Sequence, residues 1–147
     1  LSAKDLAVML QEEEITIDRK LSELEKENII CGYHTIINWD KTNKDNVSAL
    51  IFARATPERD VGYDNIAKRI YSYPEVESMY LVSGDYDFIL RLKTNTMNAV
   101  GNFVATKLAC VPGITKTNTL MILKTYKSNT EIMSEDNNKK ERLLVTP

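Results

Sequence analysis

The stretch Ser83-Gly84-Asp85-Tyr86-Asp87 sets two carboxylates two residues apart, beside a glycine and two hydroxyls. Paired carboxylates can divide acid and base roles in catalysis, hold a cation, or accept hydrogen bonds from an ammonium group. A glycine lets backbone N–H groups close on an anion. Gly-Asp between two apolar runs is also a common hairpin former with no chemistry at all. Catalysis and metal binding find no support nearby. His34 is the sole histidine and Cys31 and Cys110 the sole cysteines, and none of them accompanies the stretch, which leaves too few ligands for a zinc or haem site. No catalytic residue, metal or cofactor is therefore expected, while a plain turn and a ligand clasp both stay open.

The elements that must position this stretch follow a clear order. Val47–Ala55 reads as a strand, and Tyr63, Ile66, Ala67 and Ile70 mark one face of a helix. Val76–Val82 and Tyr86–Lys93 read as strands around the Gly84-Asp85 turn. Val100, Phe103, Val104 and Leu108 mark a second helix, and Ile114–Tyr126 a last strand. This βαββαβ order predicts a ferredoxin-like α+β domain over residues 41–127. Helices cross back between the first two and the last two strands, so each of those pairs must run parallel. The end of the first strand (Arg54, Ala55, Thr56), the Ser83–Asp87 turn and the run Val111-Pro112-Gly113-Ile114 are then expected at one edge of the sheet. Two helices cover only one sheet face, yet the last strand is apolar on both rows, with Leu120 and Ile122 opposed to Met121 and Leu123. A second subunit is expected over the other face.

Ahead of this domain, residues 1–40 divide into two short helices and a β-rich run. Ser2-Ala3-Lys4-Asp5 reads as a capping box before Leu6, Ala7 and Leu10. After Glu12-Glu13-Glu14, the residues Ile17, Leu21 and Leu24 stand at helical spacing, and Asn28 closes that helix. The pair has a helix-turn-helix outline, and "IICGYHTIINW" predicts a wing strand or hinge. "DKTNKDN", residues 40–46, is turn-rich and marks the boundary, while residues 128–147 read as a loose polar tail. At 147 residues the chain has room for two small domains. It has no run of ~20 apolar residues to cross a membrane and no opening signal segment, so a cytoplasmic protein away from membranes is expected.

"LSAKDLAVML", "ITIDRKLSELEKENIICGY", "VSGDYDFILRLK" and "VPGITKTNTLMILKTYK" together resemble the Lrp/AsnC, or feast/famine, family of transcription regulators over residues 2–127. The resemblance implies a winged helix-turn-helix, whose opening helix in the family stands ahead of the segments matched here, followed by the ferredoxin-like effector domain. It implies an oligomer, a dimer or an octamer of four dimers, with DNA and a small effector, an amino acid, as partners. In family members the corresponding turn lies at a contact between dimers where effectors bind. The implied effector residues are Ser83, Gly84, Asp85, Tyr86 and Asp87, with Thr117 and Thr119 from the last strand. The implied DNA contacts are Thr16, Arg19, Lys20 and Ser22.

Charge opposes the DNA half of this expectation. Residues 1–40 set Lys4, Arg19, Lys20 and Lys26 against nine carboxylates, and Glu12, Glu13, Glu14 and Asp18 crowd the start of the second helix. A helix N-terminus attracts its own carboxylates as readily as phosphate, so DNA would meet negative charge there. A second reading is therefore an oligomeric amino-acid or metabolite sensor of the same fold with weak or lost DNA binding. A third, a sirohaem-decarboxylase-like enzyme of similar layout, is disfavoured by the single histidine.

Overall fold

The structure, a computed structural model, describes residues 2–42, 44–59 and 61–133. Contacts divide it into two units, one ending at Ile36 and the other beginning at Ile37, a few residues before the turn-rich segment expected to separate them.

In the first unit, α1 spans Ala3–Leu10 and α2 spans Glu14–Lys26. The capping box forms: Ser2 Oγ accepts from the Asp5 N–H at 3.2 Å, and Asp5 accepts from the Ser2 N–H at 2.8 Å. Gln11 ends α1 in the left-handed region at φ 56°, and Asn28 follows α2 with the same φ, which frees the chain to turn back. Ala7 and Ile17 are the buried side chains of the two helices. The β-rich run does not form a strand. Residues 31–38 have no regular secondary structure, because an extended segment needs a neighbouring strand to take up its N–H and C=O groups, and this unit contains only helices.

In the second unit, β1 (Val47–Ala55), α3 (Asp64–Tyr71), β2 (Val76–Leu81), β3 (Phe88–Thr94), α4 (Met97–Phe103) and β4 (Ile114–Met121) follow the expected βαββαβ order. The antiparallel sheet runs β2-β3-β1-β4. Alternation along β1 sends Ala49, Ile51, Ala53 and Ala55 into the core. Their partners Leu92, Leu90 and Phe88 on β3 point the same way, and Ile66 and Ile70 of α3 with Val100 and Phe103 of α4 pack over them. The Thr96 hydroxyl caps α4, accepting from the Ala99 N–H at 3.1 Å, and the helix continues as a wider π turn, Val104–Leu108, that buries Leu108.

The other face of the sheet is not covered by α3 or α4. By register it presents Leu50, Phe52 and Arg54 from β1, Ile89, Arg91 and Lys93 from β3, Tyr80 from β2, and Lys116, Asn118 and Leu120 from β4. Trp39, on a 3₁₀ turn at Trp39–Lys41, lies with its ring centre 3.7 Å from Lys93 Nζ.

Three expectations about chain ends of elements need correction. The last strand stops at Met121 rather than Tyr126; the Ile122 N–H still donates to the Ser48 carbonyl at 2.9 Å, but Leu123 is 90% exposed. The Tyr86–Lys93 strand starts at Phe88. The start of the tail is not loose: β5 (Lys127–Ser128) and β6 (Glu131–Ile132) form a hairpin. Its two central residues, Asn129 and Thr130, both have positive φ, 45° and 72°, the twist that suits a two-residue turn. The Asn38 side chain donates to the Met133 carbonyl at 2.9 Å. The rest of the expected tail, 134–147, lies outside the described residues.

Candidate effector-binding edge of the sheet

The three chain segments expected at one edge do meet there. Ala55 pairs with Ile114, the Thr56 N–H donates to the Gly113 carbonyl at 2.8 Å, and the Asp87 N–H donates to the Ala53 carbonyl at 3.0 Å. The turn is wider than a two-residue hairpin. The Val82 N–H donates to the Asp87 carbonyl at 2.8 Å, so Ser83, Gly84, Asp85 and Tyr86 form a four-residue loop. Gly84 sits at φ 137° with open space where a Cβ would stand, a conformation that glycine alone adopts cheaply.

Asp87 and Arg54 hold this loop. One Asp87 carboxylate oxygen accepts from the Ala55 N–H at 2.7 Å and the other from the Tyr63 hydroxyl at 2.8 Å. The Ala55 N–H, then the Tyr63 hydroxyl and the Arg54 charge, hold the Asp87 carboxyl below the usual carboxylate range. Its carboxylate in turn pushes the Tyr63 phenol above the ordinary value. The Arg54 guanidinium donates twice to the Asp85 carbonyl, from Nε at 2.9 Å and from Nη2 at 2.5 Å. Asp87 therefore spends both oxygens on the fold, whereas the exposed Asp85 carboxylate makes no hydrogen bond among the described residues.

Tyr86 lies on the open sheet face, its ring 5.7 Å from that of Phe52 and flanked by Arg54 at 6.0 Å and Lys116 at 5.8 Å. Ser83, Gly84 and Asp85 are exposed at the loop tip. Thr117 and Thr119 pair with Ala53 and Ile51, so they point to the helix-covered side, away from Tyr86. Sequence reasoning missed Tyr63, because a tyrosine on an apolar helix face carries no sign that its hydroxyl will reach a loop 24 residues away.

On α2, Thr16 is half-buried while Arg19, Lys20 and Ser22 are exposed, and Lys20 pairs with Glu23 at 3.5 Å. At 100° per residue, Arg19, Ser22 and Lys26 share the stripe opposite buried Ile17, and Glu14, Asp18 and Glu25 gather on one flank. Lys26 falls on the same stripe although it was not among the implied contacts, and its spacing from Arg19 and Ser22 was legible.

The described chain is thus made of a unit of two helices and a second, βαββαβ unit. The family model described as "Lrp/AsnC ligand binding domain" matches residues 48–132. An uncharacterised HTH-type transcriptional regulator of Bacillus subtilis, YugG, is 38% identical over 99% of this chain and 85% of its own length. The HTH-type transcriptional regulator FL11 of Pyrococcus horikoshii is 27% identical over 81% of this chain and 76% of its own. Among solved structures, a transcriptional regulator from Neisseria meningitidis in complex with L-Met superposes with a TM-score of 0.68 at 23% identity, covering 87% of this chain and 82% of that one; this likeness shows the fold. The chain belongs to the Lrp/AsnC family of transcriptional regulators. These relatives are regulators, not enzymes, which removes the decarboxylase alternative.

Proposed function

We propose that the chain is a DNA-binding regulator whose second unit senses a small amino acid at the loop edge and assembles through the open sheet face. The observation that carries the effector reading is the division of labour within the loop. Asp87 and Arg54 fix its frame, while Gly84 leaves backbone N–H groups accessible to a carboxylate and Asp85 keeps a carboxylate for an ammonium. Ser83 and Tyr86 frame the same loop. The relative solved with L-Met is consistent with an amino acid as the ligand class. Thr117 and Thr119 reach the effector only if a second subunit completes the site. For DNA, α2 would act as the reading helix, with Arg19, Lys20, Ser22 and Thr16 as contacts.

Partly exposed Leu50, Phe52 and Ile89 beside Leu120, 50% exposed, support a second copy on the open face. The test selects tight-binding duplexes from a random pool with the full chain, then measures them by gel shift with each of the twenty amino acids. Enriched duplexes whose affinity changes with one amino acid are expected; failure to enrich any duplex and to bind any amino acid calorimetrically would overturn the reading. Effector binding without DNA binding would favour the sensor, a reading supported by the carboxylates of Glu14, Asp18 and Glu25 on one flank of α2.

A further inference from the structure

Arg54 on β1 and Lys116 on β4 stand directly opposite each other in the sheet register, both on the open face. Like charges placed opposite one another across two strands destabilise their pairing, so this pair works against the sheet that carries it. Neither cation has a carboxylate within ion-pair distance among the described residues. The Arg54 guanidinium directs Nε and Nη2 to the Asp85 carbonyl and not to a carboxylate. Its Nη1 makes no hydrogen bond among the described residues, and neither does Lys116 Nζ. Asp87 feels the Arg54 charge, but its two oxygens are taken by the Ala55 N–H and the Tyr63 hydroxyl. The Tyr86 ring centre lies 6.0 Å from Arg54 and 5.8 Å from Lys116, near the outer limit of a cation–π contact, so the ring offsets little of the repulsion. A carboxylate placed here would accept from Nη1 and Nζ together, and charge-assisted hydrogen bonds of that kind are the strong ones. Because Arg54 touches the loop at Asp85, this anion position adjoins the Ser83–Asp87 loop and is part of the same site.

We infer that the effector of this edge is an acidic amino acid, aspartate or glutamate, whose side-chain carboxylate is held by Arg54 and Lys116. This rests on the reading of the loop proposed above, in which backbone N–H groups take the α-carboxylate and Asp85 the ammonium; the two cations then call for a second carboxylate on the same molecule. The full chain is titrated calorimetrically with L-aspartate and L-glutamate and with their amides, L-asparagine and L-glutamine, which keep the shape and lose the charge. One of the acids should bind at least about tenfold more tightly than its amide, two cations each contributing on the scale of an exposed ion pair. Lys116→Gln should weaken that acid about three- to fivefold and leave the amide within about twofold. By removing the like-charge pair, it should also raise the thermal midpoint of the ligand-free chain. The matching diacid without the ammonium, succinate or glutarate, should bind at least about tenfold more weakly than the amino acid; equal binding would overturn the inference. Binding of a neutral amino acid in preference to both acids, or an acid-to-amide ratio unchanged in Lys116→Gln, would overturn it and leave the loop standing as an effector site. A Lys116→Gln chain that turns monomeric in light scattering while keeping its preference for the acid would assign the cations to the subunit contact, which also overturns it. No binding of any of the twenty amino acids would remove the loop reading and this inference together.

Discussion

Asp87 is the residue on which the loop depends, and its chemistry makes a pH prediction. Its carboxyl is held low by the Ala55 N–H first and then by the Tyr63 hydroxyl, so the stabilisation it gives is complete above the usual carboxylate range and is lost as the pH falls through its own lowered value. Tyr63 has a raised value, so its part is complete below the ordinary phenol range and is lost as the pH rises through that raised value. Thermal midpoints measured against pH should therefore be flat between the two limbs. Tyr63→Phe should move the acid limb upward, because Asp87 loses one of the hydrogen bonds that hold it low; an unmoved limb would mean that the hydroxyl does not bear on Asp87. The two glycines at this edge should separate structure from binding. A Cβ at Gly113, at φ 95°, would lie 2.7 Å from Ile66 Cδ1, so Gly113→Ala should cost about 2–3 kcal/mol in denaturant unfolding, strain and overpacking combined. Gly84 has no such neighbour, so Gly84→Thr should cost only the strain of its φ, about 1 kcal/mol, and should abolish the amino-acid response measured by calorimetry.

At the scale of elements, α2 places attraction and repulsion on different sides. Arg19, Ser22 and Lys26 occupy its outer stripe while Glu14, Asp18 and Glu25 lie on a flank, and Glu14 stands in its first turn, where it favours the helix dipole and occupies the place of a phosphate. Glu13→Ser with Glu14→Ser should tighten binding to many duplexes about equally, since it removes phosphate repulsion and adds no base contact. Arg19→Ala should weaken binding and reduce the slope of log affinity against log salt by about one unit if it neutralises one phosphate. Gel shifts at several salt concentrations measure both. No change in either variant would take α2 out of the DNA interface.

For the whole molecule, the open sheet face is the surface proposed for assembly. Phe52 lies at its centre, between Ile89 and Asn118 in register, and burying such a side chain against a partner is worth about 2 kcal/mol. Phe52→Glu should thus weaken dimerisation at least ~30-fold, seen by light scattering as monomer at micromolar concentration. An unmodified chain that is monomeric under those conditions would rule out the open face as an interface.

The sequence by itself determined the order of the second unit, because alternation with period 2 and helix faces with period 3.6 are local properties. It also determined that the Ser83–Asp87 loop, the end of β1 and the start of β4 share an edge, since the direction of each strand follows from the crossovers between them. The capping box of Ser2 and the left-handed Asn28 were equally legible, being set by neighbours a few residues away. Where the pairing partner was the deciding quantity, local pattern was insufficient. The β-rich run after Asn28 forms no strand because nothing beside it can take its backbone hydrogen bonds, and β4 ends at Met121 although the apolar pattern continues. The contacts of Asp87 were decided the same way. Its spacing from Asp85 offered it as a ligand group, and only the approach of the Ala55 N–H and the Tyr63 hydroxyl, both far away in sequence, turned its carboxylate inward to hold the loop and left Asp85 exposed.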